Sequence, residues 1–271
     1  MLETPVGWVL LLLVGSVTGV LSGILGIGGG ILMVPVLTFF GVPLVQATAT
    51  SLVGVLLSAT SGSIRNFSAG ELNWRNSLVI AVFGMLTAQV GAWLGDRLAD
   101  PILSLAFAVL LVATIRLIDL KRSLQHKTSP DAEASRLTAS DVPSASRSIQ
   151  WLPVIGIGLM AGFLSGMFGI GGGVVMVPLQ MLLLAEPIKA AVRTSLGAIV
   201  PIAISGLTQH TLNDNVLWLP GLSLGVGGLL GAQVGTRMLP KLGDRTVNRL
   251  FRLFLIALAV YMVIRGVRGL M

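Results

Sequence analysis

Long, continuous apolar blocks constrain this chain more than any other feature of its sequence. A helix of about 20 residues crosses the roughly 30 Å hydrocarbon core of a bilayer, and six blocks have about this length. They cover residues 6–25, 77–94, 102–120, 151–168, 216–236 and 247–264. Because apolar and polar residues do not alternate within them, transmembrane β-strands are excluded. Charged residues make up 11% of the chain, less than half of the share of about 25% that is typical of soluble domains. The blocks therefore predict an all-α polytopic membrane protein.

Four further blocks are apolar but depart from this pattern. Residues 45–63 and 194–209 are rich in Ser and Thr, whereas 31–44 and 174–184 follow glycine clusters. As helices, the last two reach only about 15–20 Å. The segment 121–150 is rich in Ser, Ala, Thr and charge, which is typical of a flexible linker. The start of the chain lacks the basic region and the cleavage site of a signal peptide.

Composition excludes several classes of function. The chain has no cysteine, so disulfides and cysteine–metal sites are excluded. The net charge of +7 comes from basic residues scattered between apolar blocks, and not from the continuous basic stripe that nucleic-acid binding needs. Every Asp and Glu falls in a loop or near the end of a block, and no metal, cofactor or nucleophile–base constellation stands out. We therefore expect no enzyme activity, no cofactor and no mid-membrane carboxylate for coupling to a cation.

The two halves of the chain repeat one another. Residues 15–35 read GSVTGVLSGILGIGGGILMVP and residues 158–178 read GLMAGFLSGMFGIGGGVVMVP, with 13 of 21 positions identical. Weaker matches follow in the same order, pairing Thr50-Ser51-Leu52 with Thr194-Ser195-Leu196, Trp74 with Trp218, and Gln89-Val90-Gly91 with Gln233-Val234-Gly235. An ordered series of this kind indicates duplication. We assign residues 1–120 to a first membrane repeat, 121–150 to a cytoplasmic linker and 151–271 to a second membrane repeat.

The positions of the basic residues predict how the two halves insert. If each repeat makes five crossings, counting the short blocks, 14 of the 18 Lys and Arg residues fall on one side and three on the other. Four crossings per repeat divide them nine to eight. Only the first division agrees with the positive-inside rule. An odd number of crossings gives the repeats opposite orientations, so we predict inverted-topology repeats in the inner (plasma) membrane, with both termini outside.

Two glycine clusters of sequence GIGGG join the first two segments of each repeat. Their candidate binding residues are Gly26, Gly28, Gly29 and Gly30 in the first half and Gly169, Gly171, Gly172 and Gly173 in the second. Glycine permits sharp turns and a close approach of the backbone to a ligand. The helix that follows presents unpaired N–H groups and the positive end of its dipole to an anion. We therefore predict that these clusters bind substrate or form a hinge. The spaced glycines at 15, 19 and 23 and at 158, 162 and 166 are instead typical of helix packing.

Matched polar residues are the remaining candidates for substrate binding, because polar groups inside a membrane are often functional. They are Thr50, Ser51, Gln89, Thr194, Ser195 and Gln233. The Thr-Ser pairs either donate hydrogen bonds to a substrate oxygen or cap the helices that they begin. The glutamines either bind substrate or join helices, with the second role favoured. We expect Ser22 and Ser165 to bond to their own helix, and His210 to lie at the membrane interface.

The duplicated motif GxLSGxxGIGGGxxMVP, with the Thr-Ser and Gln-Val-Gly segments, resembles the TauE/SafE sulfite exporter (TSUP) family. The resemblance covers nearly the whole chain outside the linker. It implies a multi-pass permease for small sulfur-containing anions such as sulfite, thiosulfate or sulfonates. Inverted repeats are also typical of secondary transporters that hold substrate near the midplane between interrupted helices. We predict such a transporter, working by alternating access as a monomer or a homodimer, with an anion channel of the same architecture as the alternative.

Overall fold

The structure is a computed structural model that describes residues 5–126 and 151–270. Within these ranges every regular element is helical, as the apolar blocks predict. The first half contains α1 (Pro5–Leu25), α2 (Gly30–Phe39), α3 (Leu44–Ser68), α4 (Trp74–Arg97) and α5 (Asp100–His126). The second half contains α6 (Trp151–Phe168), α7 (Gly173–Leu183), α8 (Ile188–Leu212), α9 (Trp218–Met238), a short 3₁₀ helix (Leu239–Lys241) and α10 (Asp244–Leu270).

Six of the described helices are long and apolar enough to cross a membrane, judged by length and composition: α1, α3, α4, α6, α8 and α10. The helices α2 and α7, of 10 and 11 residues, are shorter apolar helices. The predicted blocks 102–120 and 216–236 are helical in α5 and α9. Helix α5 continues to His126, beyond the predicted start of the linker at 121, because Leu, Lys, Arg and Gln in that stretch favour helix. The rest of the predicted linker lies outside the described residues.

Spaced glycines bring two pairs of helices into backbone contact. A Cβ atom added to Gly15 or Gly19 of α1 would overlap the carbonyl groups of Leu224 and Gly228 in α9. The equivalent glycines of α6 meet the backbone of α4 in the same way. Residue numbers rise together along both helices of each pair, so α1 runs parallel to α9, and α6 runs parallel to α4. The prediction that these glycines serve helix packing is confirmed.

Helices α3 and α8 cross at the centre of the molecule and run in opposite directions. Glu71, just beyond the end of α3, forms an ion pair of 3.0 Å with Arg193, near the start of α8. Val55 and Ile199, near the middle of the two helices, are fully buried. Both side chains lie against the same two glycines, Gly28 and Gly171. The middle of α3 and the middle of α8 therefore meet where the two glycine clusters lie.

The helix contacts come in matched pairs. The first helix of each half packs against the fourth helix of the other half, α1 with α9 and α6 with α4, and the contact of α3 with α9 is matched by that of α8 with α4. Hydrogen bonds repeat as well. Ser61 of α3 donates to the Leu229 carbonyl of α9 at 2.8 Å, and Ser205 of α8 donates to the Met85 carbonyl of α4 at 2.7 Å. The helices of the two halves are therefore interleaved, and both halves contribute residues to the centre of the molecule.

Candidate functional site

Each glycine cluster interrupts the helices as predicted. The first break, residues 26–29, separates α1 from α2, and the second break, residues 169–172, separates α6 from α7. Gly26, Gly28 and Gly29 have φ angles of 70°, 82° and 83°, in the left-handed region where a Cβ atom is strained. The three glycines of the second break have φ angles of 67°, 74° and 74°. The prediction that glycine turns the chain sharply is confirmed in both halves.

The two breaks contact each other at the centre of the molecule. A Cβ atom added to Gly30, the first residue of α2, would overlap the carbonyl oxygen of Gly169. One added to Gly173, the first residue of α7, would overlap the carbonyl oxygen of Gly26. The middle glycine of each break lies against the crossing of α3 and α8. The eight glycines predicted as site residues therefore form one cluster, which joins segments that are far apart in sequence.

The clustered breaks are closed to solvent. Ile27 and Ile170, the second residues of the breaks, are 1% and 0% exposed. Gly29 and Phe254 line an enclosed crevice beside the first break that is too narrow for a water molecule. In the part of the chain that the structure describes, the breaks are thus buried and have no opening wide enough for water beside them.

Unpaired backbone donors lie at this contact. The helices α2 and α7 begin at the breaks and have no side-chain cap. Within residues 5–126 and 151–270, the N–H groups of Gly28, Gly29 and Gly30 have no hydrogen-bond acceptor. The same holds for the equivalent N–H groups of residues 171–173. Such N–H groups, together with the positive end of the helix dipole, favour an anion. The site therefore offers two symmetrically placed sets of donors.

Two buried serines beside the breaks have unsatisfied hydroxyl groups. Ser22 and Ser165 are 1% and 0% exposed, and neither Oγ has a hydrogen-bond partner among the residues that the structure covers. The expectation that they bond to their own helix is wrong, because a helical serine reaches an earlier carbonyl only in suitable rotamers. The backbone carbonyl of each serine accepts a 2.8 Å bond from the first glycine of the adjacent break. Each break therefore has a spare hydroxyl donor on the helix that precedes it.

Ser51 and Ser195 tie each break to the opposite half. The Ser51 hydroxyl lies 2.8 Å from the carbonyl oxygen of Gly169, and the Ser195 hydroxyl lies 2.8 Å from that of Gly26. Both hydroxyls also reach a carbonyl three residues earlier in their own helix. Both hydroxyl protons are thus donated to carbonyl oxygens, and in this arrangement the two serines position the breaks.

Sequence reasoning missed Ser58, which donates to the Gly28 carbonyl at 2.7 Å and has no polar counterpart in the second half.

Thr50 and Thr194 lie inside their helices and do not cap them, because α3 begins at Leu44 and α8 at Ile188. Thr50 Oγ1 accepts a 3.0 Å hydrogen bond from the backbone N–H of Leu217, the residue before α9. The backbone carbonyl of Thr194 accepts a 2.9 Å bond from a serine hydroxyl of α4. Both threonines are buried, one residue before the serines that hold the breaks.

The predicted glutamines differ from each other. Gln233 is half-buried, and its Nε2 lies 3.3 Å from the backbone carbonyl of Ser61, so it joins α9 to α3. Gln89 is exposed on α4. His210, expected at the interface, is 1% exposed and its Nε2 lies 3.0 Å from the Gly166 carbonyl, because α8 packs its final turns against α6. Of these three residues, only Gln233 and His210 join helices.

Gln180 of α7 is a candidate that sequence reasoning missed. Its side chain is 0% exposed, and neither Oε1 nor Nε2 has a hydrogen-bond partner in the described part of the chain. Leaving a buried amide unpaired costs about 1–3 kcal/mol by mutational data. The repeat contained the signal, because the equivalent residue of α2 is the fully buried Leu37. An amide at this position is thus specific to the second half.

Comparison with known proteins gives one family over most of the chain. The family model described as "Sulfite exporter TauE/SafE" matches residues 11–262. The probable membrane transporter protein YunE of Bacillus subtilis is 28% identical over 96% of this chain and 98% of its own length. A probable membrane transporter protein of Xylella fastidiosa (strain Temecula1) is 30% identical over 93% of both chains. The probable membrane transporter protein MJ0441 of Methanocaldococcus jannaschii is 32% identical over 74% of this chain and 71% of its own. No solved structure matches significantly.

Proposed function

Because the chain belongs to the sulfite exporter TauE/SafE family and is a multi-pass membrane transporter, we propose that it moves small sulfur-containing anions such as sulfite across the plasma membrane. The proposed site is the contact between the two breaks. The proposed mechanism is alternating access, in which the two halves move relative to each other around this contact. The observation that carries the proposal is the pair of donor sets at the centre, one from each half.

Inverted repeats are part of the proposal, and the directions of the helices support them. Helix α1 runs parallel to α9, α6 runs parallel to α4, and the equivalent helices α3 and α8 are antiparallel. Two halves inserted in the same sense would instead have α3 and α8 parallel. The excess of Lys and Arg on one side of a ten-crossing chain supports the same topology, with residues 121–150 in the cytoplasm.

The chemistry of the breaks supports an anion as the substrate. The N–H groups that open α2 and α7 and the hydroxyls of Ser22 and Ser165 can donate hydrogen bonds to an anion at the contact. Two helix dipoles with their positive ends at the same point add to the attraction for negative charge. Tight packing between the breaks favours a small substrate, and the family description supports sulfite or a related oxyanion.

The closed centre supports a carrier over the alternative, an anion channel. A channel needs a continuous path, whereas the crevice beside the first break excludes water. Glycines with left-handed φ angles at both breaks are suited to act as hinges.

Efflux of an anion from a negative-inside cell is favoured by about 2.3 kcal/mol per charge per 100 mV, so export needs no coupling ion.

Uptake of radiolabelled sulfite into proteoliposomes tests the proposal. We expect Gly29→Ala and Gly172→Ala to abolish saturable uptake and counterflow while leaving membrane insertion intact. Gly41→Ala is the matched control, because Gly41 has a φ angle of 84° with no atom within 4 Å of an added Cβ. It adds a similar backbone strain away from the breaks and should leave transport unchanged. Normal uptake by both break variants would remove the breaks from the mechanism, and unsaturable flux without counterflow would favour a channel.

The orientation has a separate test with a fluorescent protein that matures only in the cytoplasm. We expect fluorescence when the reporter is inserted near Ala134 and none when it follows Met271. The reverse result would contradict the proposed topology, whatever the substrate.

A further inference from the structure

An apolar groove lies away from the breaks, between the end of α3, the start of α4 and the middle of α8. It has a volume of about 450 Å³ and is lined by apolar side chains and a few small polar ones. Ile64, Phe67, Trp74 and Leu78 form its outer wall and are more than half exposed. In a membrane protein such side chains face lipid. The groove is therefore open to the bilayer, and its apolar lining is unsuited to an anion path.

The residues that line the groove differ from their equivalents in the other half. Gly197 and Pro201 of α8 line it, and the equivalent residues of α3 are Val53 and Leu57. Val53 and Leu57 contact Gly221 and Gly225 of α9, whereas Gly197 packs against the Ser77 side chain of α4. Side-chain volume is thus distributed differently between the facing helices of the two halves, with Ser77 and Ala81 of α4 at the positions equivalent to Gly221 and Gly225.

Two arginines adjoin lining residues of this groove in sequence, Arg65 near the end of α3 and Arg75 at the start of α4. Arg65 follows the lining residue Ile64, and its Nε is buried without a hydrogen-bond partner. Arg75 follows the lining residue Trp74, and its guanidinium carbon lies 5.6 Å from the centre of the Trp74 ring. Within the described residues neither arginine forms an ion pair, whereas the nearby Arg193 is neutralised by a glutamate.

The two arginines also differ from their equivalents in the second half. The residues equivalent to Arg65 and Arg75 in the second half are Gln209 and Leu219. The end of the molecule that has this groove therefore carries two arginines that the equivalent end lacks. Basic pockets between membrane helices bind lipid headgroups, and a tryptophan beside them is typical of the headgroup level.

We propose that this groove binds an anionic phospholipid, with one acyl chain in the groove and the headgroup phosphate held by Arg65 and Arg75. The occupant is a lipid because the site combines an apolar channel open to the bilayer with cations at its end. A soluble anion would use the cations alone and leave the groove empty. The inference is independent of the transported substrate.

Native mass spectrometry of the delipidated protein with phosphatidylglycerol and phosphatidylcholine tests the proposal. We expect the wild type to prefer phosphatidylglycerol. The variant Arg65→Gln/Arg75→Gln should lose that preference by about fivefold per arginine, with binding of phosphatidylcholine unchanged. Arg249→Gln, an exposed arginine of α10, is the matched control and should retain it. Equal preference in the double variant and the wild type would overturn the assignment.

Filling the groove tests the position of the acyl chain. Pro201→Leu introduces the residue that the other half has at this position and removes a proline from the interior of α8, so the helix should remain folded. We expect this variant to bind both lipids several-fold more weakly than the wild type. Unchanged binding would place the lipid elsewhere. If inorganic phosphate competed for the site as strongly as intact phosphatidylglycerol, the site would bind phosphate without a lipid. That result would also overturn the proposal.

Discussion

Replacing Gln180 with leucine is expected to stabilise the protein and to impair transport at the same time. The side chain is fully buried in α7, and both of its amide atoms lack hydrogen-bond partners among the described residues. Relieving one unsatisfied buried polar group recovers about 1–3 kcal/mol. Leucine is similar in size, and Leu37 at the equivalent position of α2 is fully buried. The substitution should therefore fit without leaving a cavity.

The expected gain is large enough to measure by thermal unfolding in detergent. A change of 1 kcal/mol shifts Tm by about 2–4 °C for a domain of roughly 150–250 residues. We therefore expect a rise of about 2–12 °C for Gln180→Leu. We expect transport to fall, because we propose that this amide finds its partner in the substrate or in another conformation of the transport cycle. A gain in stability at the expense of activity is typical of functional residues.

The reverse substitution in the first half is the control. Leu37→Gln introduces an amide among the equivalent apolar neighbours and should lower the stability by about 1–3 kcal/mol without raising transport. A Gln180→Leu protein that melts at or below the wild-type temperature would refute the reasoning, because the amide would then be satisfied in the native protein. A more stable variant with wild-type transport would refute only the functional part.

Four further substitutions, one of them a control, test the packing of the helices. Ser51→Ala removes the hydroxyl that holds the second break and should lower the stability by about 1–3 kcal/mol, with unchanged Tm counting against that role. Gly19→Ala should destabilise the protein strongly, because the added Cβ overlaps the backbone of α9. The control Gly156→Ala meets no atom within 4 Å and should be neutral or stabilising by up to about 1 kcal/mol. Equal effects of the two substitutions on Tm would contradict the close packing. Asp100→Ala should lose about 0.5–2 kcal/mol, because this carboxylate accepts a 2.9 Å bond from the backbone N–H that opens α3 and pairs with an arginine of α10. An unchanged unfolding curve for Asp100→Ala would contradict its role in capping α3.

The helices and the breaks were predictable because their causes are local. Apolar blocks of sufficient length become helices in a membrane, since lipid cannot satisfy backbone polar groups. Runs such as Gly28-Gly29-Gly30 break them because glycine alone adopts left-handed φ angles without strain. The spacing of Gly15, Gly19 and Gly23 likewise indicates a packing face. The end of α5 was predicted less well, because good helix formers extend it to His126.

The hydrogen-bond partners of the polar residues were not predictable in the same way. Ser22 and Ser51 are both helical serines near a break, yet the first is unpaired and the second bonds to a carbonyl of the opposite half. Their difference depends on which helix lies opposite, and one sequence does not contain that information. Gln180 was visible as a departure from the repeat, but its isolation depends on its neighbours in space.

The sequence by itself therefore determined the class of protein, the similarity of its two halves, the positions of the breaks and the asymmetry of charge. Each of these follows from composition or from spacing along one segment. Only the tertiary structure decided that the two breaks touch, that α3 and α8 cross beside them, and that α3, α4 and α8 together line an apolar groove. These features depend on contacts between segments more than a hundred residues apart, and such contacts are selected by packing of the whole chain and not by local preference.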